Sequence, residues 1–127
     1  MASELRVNTL KDASGNNSVA TSVVFNGTAK AWFEMAGDFL LDDSYNIASM
    51  TDDGTGLFTY TYTNNMASAN YAPNAGPTGG ARNTTFIWVE TTSLSTSGAA
   101  ASMGTQSSGT TSLADGDNCM ALHGDLA

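Results

Sequence analysis

The stretch that decides the fold reads Leu57-Phe58-Thr59-Tyr60-Thr61-Tyr62-Thr63. Its aromatic residues alternate with threonines, and successive side chains of a pleated strand point to opposite faces. Phe58, Tyr60 and Tyr62 therefore share one face, which we expect to be buried, while the threonines share the face toward solvent. Aromatic residues and threonine also favour strands over helices. The pattern predicts a β-strand with one buried face.

Turn residues divide much of the remaining sequence into further short runs that favour strands. Such runs occupy residues 5–10, 23–25, 29–36, 45–50, 83–92 and 118–123. The Asn26-Gly27 pair predicts a hairpin or a tight turn after the second run, and the run at 83–92 is expected to form a central strand. With residues 57–63, these runs predict an all-β fold, either an antiparallel β-sandwich or a jelly-roll-like domain.

Two segments between the runs carry turn chemistry instead of a strand pattern. Residues 73–82 are rich in Gly and Pro, and we expect a loop without regular structure there. Residues 93–117 are almost entirely Ser, Thr, Gly and Ala, with Leu94, Met103 and Leu113 as the only larger apolar side chains. This composition indicates a long loop or a weak edge strand. Both segments are candidates for contact with a partner.

The large aromatic residues supply the expected core, because such rings dominate burial in small β-domains. The predicted core rings are those of Trp32, Trp88, Phe58, Tyr60 and Tyr62. Cys119, the only cysteine, belongs to the last strand run, where we expect it to be buried as a small apolar residue. A single cysteine also excludes an intrachain disulfide. His123, the only histidine, is expected to pack in the fold or at a subunit interface.

Length and charge restrict the possible partners. A chain of 127 residues corresponds to one small domain, which we divide into an N-terminal arm or attachment element at residues 1–26 and a β-domain at residues 27–127. The 12 acidic and 4 basic residues give a net charge of -8, which repels phosphate and disfavours nucleic-acid binding. No apolar run approaches the roughly 18 residues that span a bilayer, so we expect no membrane insertion.

Residues capable of chemistry occur without the motifs that would organise them. Asp125 lies close to His123, yet no nucleophile elbow of the G-x-S-x-G type accompanies them. The acidic steps Asp42-Asp43, Asp52-Asp53 and Asp115-Gly116-Asp117 do not match a calcium-binding loop, and capping of turns is their simpler explanation. The sequence predicts no catalytic residue, metal ligand or cofactor, and a protein that is not an enzyme.

Several segments of the chain, most of them in its N-terminal half, are similar in their residues and in their order to one group of viral proteins. The similarity begins with Ser3-Glu4-Leu5-Arg6-Val7-Asn8-Thr9-Leu10-Lys11-Asp12-Ala13-Ser14-Gly15-Asn16-Asn17 and continues with Asn26-Gly27-Thr28-Ala29-Lys30-Ala31-Trp32. Further matching segments are residues 43–49, 53–56, 66–71 and 123–127. These segments resemble small tail-fibre-like and other virion structural proteins of marine tailed phages of the cyanophage type. Residues 33–41 are more apolar than that pattern, and residues 93–117 match nothing specific in it.

The resemblance implies a β-rich, homotrimeric, non-enzymatic virion component that is made in the host cytoplasm and exposed on the assembled particle. The first hypothesis is a tail component of fibre or adhesin type, which presents a host-facing β-domain to a surface glycan or protein. The alternative is a capsid decoration protein, meaning a cement, knob or head-fibre protein bound to the head lattice. Both hypotheses give the chain other virion proteins as partners, of the tail or of the capsid.

Overall fold

The computed structural model describes residues 3, 5–77, 85–89, 93–107 and 109–127, with the backbone alone described for residues 77, 85–89, 106 and 107. This part of the chain forms eleven strands and one short helix. In chain order they are β1 (Thr9–Lys11), β2 (Ser18–Ala20), α1 (Thr21–Gly27), β3 (Ala31–Met35), β4 (Leu41–Tyr45), β5 (Ile47–Gly54), β6 (Leu57–Tyr62), β7 (Ala72–Pro77), β8 (Thr85–Val89), β9 (Gly98–Ser107), β10 (Thr110–Leu113) and β11 (Asn118–His123). The strands pair antiparallel, which confirms the all-β prediction.

Two antiparallel sheets follow the N-terminal β1-β2 hairpin. The first sheet has the strand order β4-β3-β11-β7. The second sheet contains β5, β6, β8, β9 and β10, and β9 pairs with three of the others. β8 pairs with residues 101–105 of β9, overlapping both the β6 pairing at 98–102 and the β10 pairing at 104–107. β6 and β10 therefore lie end to end along one edge of β9, and β8 occupies the other edge.

The prediction of a loop or weak edge strand at residues 93–117 is wrong for residues 98–107, which form β9, the central strand of the second sheet. Within the described strands β10 pairs only with β9, so residues 110–113 form an edge strand as predicted. The small residues of β9 lie directly opposite the large rings of β6, with Ala101 paired to Phe58 and Ala99 paired to Tyr60. At Gly98 even a Cβ atom would collide with the carbonyl oxygen of Tyr60. Small residues are what this close pairing requires, and composition alone does not distinguish that role from a loop.

The two sheets contribute side chains to one hydrophobic core. The ring of Phe33, on the first sheet, lies 6.2 Å from that of Phe58 and 5.5 Å from that of Tyr60, both on the second sheet. Further buried residues of this core come from the strands of both sheets and from the connections between strands: Ala31, Met35, Phe39, Tyr62, Met66, Tyr71, Ala99, Ala101, Met103, Met120 and Leu122. The predicted core positions of Phe58, Tyr60 and Tyr62 are confirmed.

Trp32 is not a core residue, contrary to the prediction. β3 alternates strictly, with Ala31, Phe33 and Met35 buried, while Trp32 and Glu34 are exposed. Trp32 therefore lies on the outer face of the first sheet, with 36% of its surface exposed. Phe33 takes the buried position because neighbouring residues of a strand cannot share a face. The side chain of Trp88 lies outside the described part of the structure.

The strand predicted at residues 45–50 is two strands in two different sheets. Asn46 separates β4 from β5 and has a φ of 59°, in the left-handed region that asparagine tolerates better than most residues. Its side-chain amide donates to the carbonyl oxygens of Lys30 and Asn64, each at 3.0 Å. Its Oδ1 accepts from the backbone N–H of Asn64 at 2.7 Å. These bonds fix the corner at which the chain passes from the first sheet to the second.

The prediction of a loop at residues 73–82 is wrong for residues 73–77, because these residues belong to β7. Pro73 and Pro77 are both in this strand, opposite Leu122 and Asn118 of β11. β7 ends the strand order of the first sheet, and proline is tolerated on an edge strand because no second neighbour needs its missing N–H. Residues 78–82 lie outside the described residues.

Four further predictions have different outcomes. The runs at 29–36 and 118–123 are confirmed as β3 and β11. The run at 83–92 contains β8, but within the described strands β8 pairs only with β9, so the prediction that it is central is wrong. The hairpin predicted at Asn26-Gly27 is also wrong, because residues 23–25 belong to α1 and Gly27 ends that helix. An Asn-Gly pair fits a helix C-terminus as well as a hairpin.

Candidate functional site

The N-terminal arm carries an unusual share of the exposed apolar surface. Six of the ten large hydrophobic side chains exposed in the described residues belong to it: Leu5, Val7, Leu10, Val23, Val24 and Phe25. α1 buries none of its residues. A seven-residue helix and a two-stranded hairpin are each marginal in water without packing against something else. The arm therefore exposes apolar surface that the described part of the chain does not cover.

Lys30 joins the arm to the β-domain. Its ammonium group donates to the carbonyl oxygen of Phe25 and to the hydroxyl of Thr28, and it lies 3.8 Å from the centre of the Phe25 ring. Such placement of a cation over a ring is attractive. The backbone N–H of Lys30 donates to the carbonyl oxygen of Leu122 in β11. The end of α1 is therefore held close to the first sheet.

The turn between β1 and β2 is organised by one carboxylate. The two oxygens of Asp12 accept from the hydroxyl of Ser14, the backbone N–H of Asn16 and the side-chain amide of Asn17. The Asn17 amide makes the largest contribution to lowering the pKa of the Asp12 carboxyl below its usual 3.8. The predicted loop after the first strand is therefore an ordered turn, although β1 is shorter than the run from which it was predicted.

An open groove of about 430 Å³ crosses the outer face of the first sheet. The residues that form this outer groove come from alternate positions of β3, β11 and β7: Trp32, Glu34, Ala121, Cys119, Asn74 and Gly76. In the strand register Ala121 lies between Trp32 and Asn74, and Cys119 lies between Glu34 and Gly76. Small side chains therefore make the floor along β11, with Trp32 and Glu34 on β3 at one side and Asn74 on β7 at the other.

Three groups at the outer groove are available for hydrogen bonding. Within the described part of the chain, the side chains of Trp32, Glu34 and Asn74 have no hydrogen-bond partner. The indole offers one donor, the carboxylate offers acceptors, and the amide offers both. Next to Trp32 in the register is Tyr45, which is 53% exposed. The outer groove thus combines an aromatic wall with convergent polar groups, a combination typical of ligand sites.

Cys119 and His123 both belong to β11, and the predicted burial of Cys119 in the core is wrong. Cys119 is half-buried on the outer face, not a core residue, because alternation places Met120 in the core instead. His123 is also half-buried, opposite Ala72 of β7. Nowhere in the described ranges do three or more His, Cys, Asp or Glu side chains come together as a metal site would require.

The carboxylates of the predicted acidic turns bind backbone N–H groups. Asp115 accepts from Gly56 at 2.6 Å, Asp117 accepts from Gly37 at 2.9 Å, and Asp52 accepts from Gly54 at 2.9 Å. The first two bonds connect segments far apart in the sequence and hold the β10–β11 connection against both sheets. The turn-capping explanation therefore holds for Asp52, whereas Asp115 and Asp117 bind distant segments and Asp42-Asp43 lies within β4.

The two segments predicted to contact a partner, residues 73–82 and 93–117, together have more than half of their residues in strands. Residues 93–97 remain outside β9, and a shallow second groove of about 300 Å³ is lined there by Ser93, Ser95 and Ser97. These serines form hydrogen bonds with nearby residues of the same chain, as Ser95 does with the carbonyl oxygen of Gly98 at 2.8 Å. This second groove therefore offers less free hydrogen-bonding capacity than the outer groove.

Sequence reasoning missed the outer groove although part of its signal was present. The alternation of Ala31, Trp32, Phe33 and Glu34 already indicates that Trp32 and Glu34 share a face. No local pattern indicates that Asn74 lies two strands away across β11, because this neighbourhood arises from long-range pairing. Comparison with family models, with curated proteins and with solved structures gives no match. The described residues contain no helix long and apolar enough to cross a membrane.

Proposed function

We propose that this chain is a virion structural protein of fibre or adhesin type, a tail component that presents a host-facing β-domain. The observation that carries the proposal is the apolar exposure of the N-terminal arm, whose helix α1 buries no side chain. Such a segment gains stability only by docking, since isolated elements of this size are marginal. Docking of the arm to another virion protein supplies that stability and leaves the β-domain free to face outward.

The proposal includes a trimer and a sandwich architecture. The contacts of Phe33 with Phe58 and Tyr60 support face-to-face packing of the two sheets as an antiparallel β-sandwich. A disulfide-free domain of this size gains stability by burying further apolar surface between subunits. Homotrimeric display also multiplies weak contacts with a host surface through their effective concentration. Light scattering coupled to gel filtration tests the trimer, and a monomer at micromolar concentration contradicts it.

Capsid decoration is the second candidate, and the short link between arm and domain favours it. Only residues 28–30 separate α1 from β3, so the β-domain lies next to whatever the arm binds. A decoration protein on the head lattice needs this arrangement, whereas a fibre usually places a shaft between its attachment point and its tip.

Immunogold electron microscopy of the phage particles distinguishes the two candidates. Label on the tail or its fibres supports the adhesin function, and label over the head supports decoration. Thermal release provides a second readout, because particles without a cement protein lose DNA at lower temperature and particles without a fibre lose only adsorption. Absence of label from purified particles contradicts both candidates.

A variant of the arm tests the docking step itself. The double substitution V24D/F25D places two carboxylates on the exposed apolar part of α1 and is expected to prevent incorporation into particles. The matched control is Ser22→Asp, which adds a charge to the same helix at a polar, exposed position. Circular dichroism verifies that the β-domain is intact in both variants. Normal incorporation of V24D/F25D contradicts the assignment of the arm as the attachment element.

A further inference from the structure

We infer that the outer groove binds one neutral sugar ring of a glycan, stacked against the indole of Trp32. This inference rests on the proposed function, because it names the ligand class of the host-facing β-domain. The aromatic wall is the first reason. The face of an aromatic ring carries partial negative charge, and the C–H bonds on one face of a sugar ring are polarised by the adjacent oxygens and approach it favourably.

The hydrogen-bonding groups of the outer groove suit a ligand that both donates and accepts. Sugar hydroxyls do both, and the unpartnered groups of Trp32, Glu34 and Asn74 offer two kinds of donor and two kinds of acceptor. Trp32 and Asn74 lie on opposite sides of Ala121 in the register, so their strands are about 9.6 Å apart, twice the strand spacing. A single ring fits between these flanking strands, above the small side chains of Ala121 and Cys119.

The charge of the chain restricts the sugar to a neutral one. Glu34 belongs to the outer groove, and its register partner on β4 is Asp43, so two carboxylates lie side by side at this end. The net charge of -8 adds a repulsive field for any anion. Sulfated, phosphorylated or uronic-acid sugars are therefore disfavoured, and a neutral hexose or N-acetylhexosamine is the chemistry that fits.

An extended peptide is a poorer occupant of the outer groove. Peptides that add to a sheet require an edge strand with free backbone groups. The floor of the outer groove is β11, which is paired on one side to β3 and on the other to β7. Its backbone groups are used in those pairings, so a ligand meets side chains alone. Recognition through an aromatic face and a few polar side chains suits a sugar ring better than a peptide backbone.

Nuclear magnetic resonance of the full chain tests the inference directly. The probes are cellotriose, mannotriose and chitotriose, each added to about 10 mM, a range suited to weak sites. The indole N–H signal of Trp32, assigned with the Trp32→Phe variant, is expected to shift together with the backbone signals of Asn74 and Ala121. Saturation with at least one probe supports the inference. Absence of shifts with all three, or larger shifts with a charged trisaccharide such as trigalacturonate, overturns it.

Two variants and a matched control separate binding from folding. Trp32→Ala removes the stacking face and is expected to weaken binding about tenfold, and Asn74→Ala about threefold. The control is Leu40→Ala, which removes another exposed hydrophobic side chain away from the outer groove and is expected to bind as the parent does. Unchanged binding by Trp32→Ala, with all three variants folded, overturns the inference.

The outcomes also separate this inference from the proposed function. Label on phage particles without sugar-induced shifts leaves the virion assignment intact and refutes the sugar site. Sugar-induced shifts without label on particles support the site and contradict the virion assignment. Protection of Trp32 from acrylamide quenching in a sugar-free trimer of the Trp88→Phe variant, where Trp32 is the remaining tryptophan, identifies the outer groove as a subunit interface, which also refutes the sugar site.

Discussion

Replacing two neighbouring residues of β3 by alanine tests which face of the first sheet is buried. Phe33 is 1% exposed and contacts Phe58 and Tyr60 of the other sheet, whereas Trp32 is 36% exposed on the outer face. The Phe33→Ala variant loses the burial of a whole ring and leaves a cavity between the sheets, so we expect it to lower the free energy of unfolding by about 3–5 kcal/mol. Trp32→Ala removes a partly exposed ring and creates no internal cavity, and we expect a loss of about 1–2 kcal/mol.

These losses correspond to measurable differences in melting temperature. At about 4 °C per kcal/mol for a chain of this size, Phe33→Ala is expected to melt about 12–20 °C lower and Trp32→Ala about 4–8 °C lower. Thermal and urea denaturation followed by circular dichroism at equal protein concentration measure both values. The smaller residue thus gives the larger effect, the opposite of what ring size alone predicts. Equal losses, or a larger loss for Trp32→Ala, would refute the assignment of faces and the shared core.

Four further predictions concern three individual residues. Within the residues that the structure describes, the buried hydroxyl of Tyr60 has no hydrogen-bond partner, so Tyr60→Phe is expected to raise the free energy of unfolding by about 1 kcal/mol in urea denaturation, and a decrease contradicts the reasoning. Burial also raises the pKa of Tyr60, so the free energy of unfolding is expected to fall as pH rises above about 10, where the phenol of Tyr60 ionises in the unfolded chain. The Tyr60→Phe variant should show a smaller fall. Because the pKa of the Asp12 carboxyl is lowered, the β1-β2 turn is expected to remain ordered at pH 3.8 and to lose order only as the pH falls further. A titration of the Asp12 carboxyl by nuclear magnetic resonance checks this, and a titration midpoint at or above 3.8 contradicts it. Gly98→Ala places a Cβ against the carbonyl oxygen of Tyr60 and is expected to cost more than about 2 kcal/mol, whereas Ala100→Gly, at a half-buried position of the same strand, should cost about 1 kcal/mol or less.

The sequence by itself determined the local features of this protein. Strict alternation in residues 57–63 was sufficient to predict β6 and its buried face, because period two is an intrinsic property of a pleated strand. The run at 118–123 likewise predicted β11, although the expected burial of Cys119 was wrong because Met120 occupies the core face. The exposed apolar residues of the N-terminal arm are also visible in the sequence, although their lack of burial is not.

Tertiary structure decided the features that depend on which strands become neighbours. The small residues of β9 have the composition of a loop, and only their position opposite the rings of Phe58 and Tyr60 makes them a central strand. Pro73 and Pro77 suggest a loop until β7 is placed at the edge of its sheet, where a missing N–H costs little. The outer groove follows the same rule, since Trp32 and Asn74 meet across β11 only through pairings between distant parts of the chain. Local periodicity fixes the two faces of a strand, but it carries no information about the strand that lies beside it.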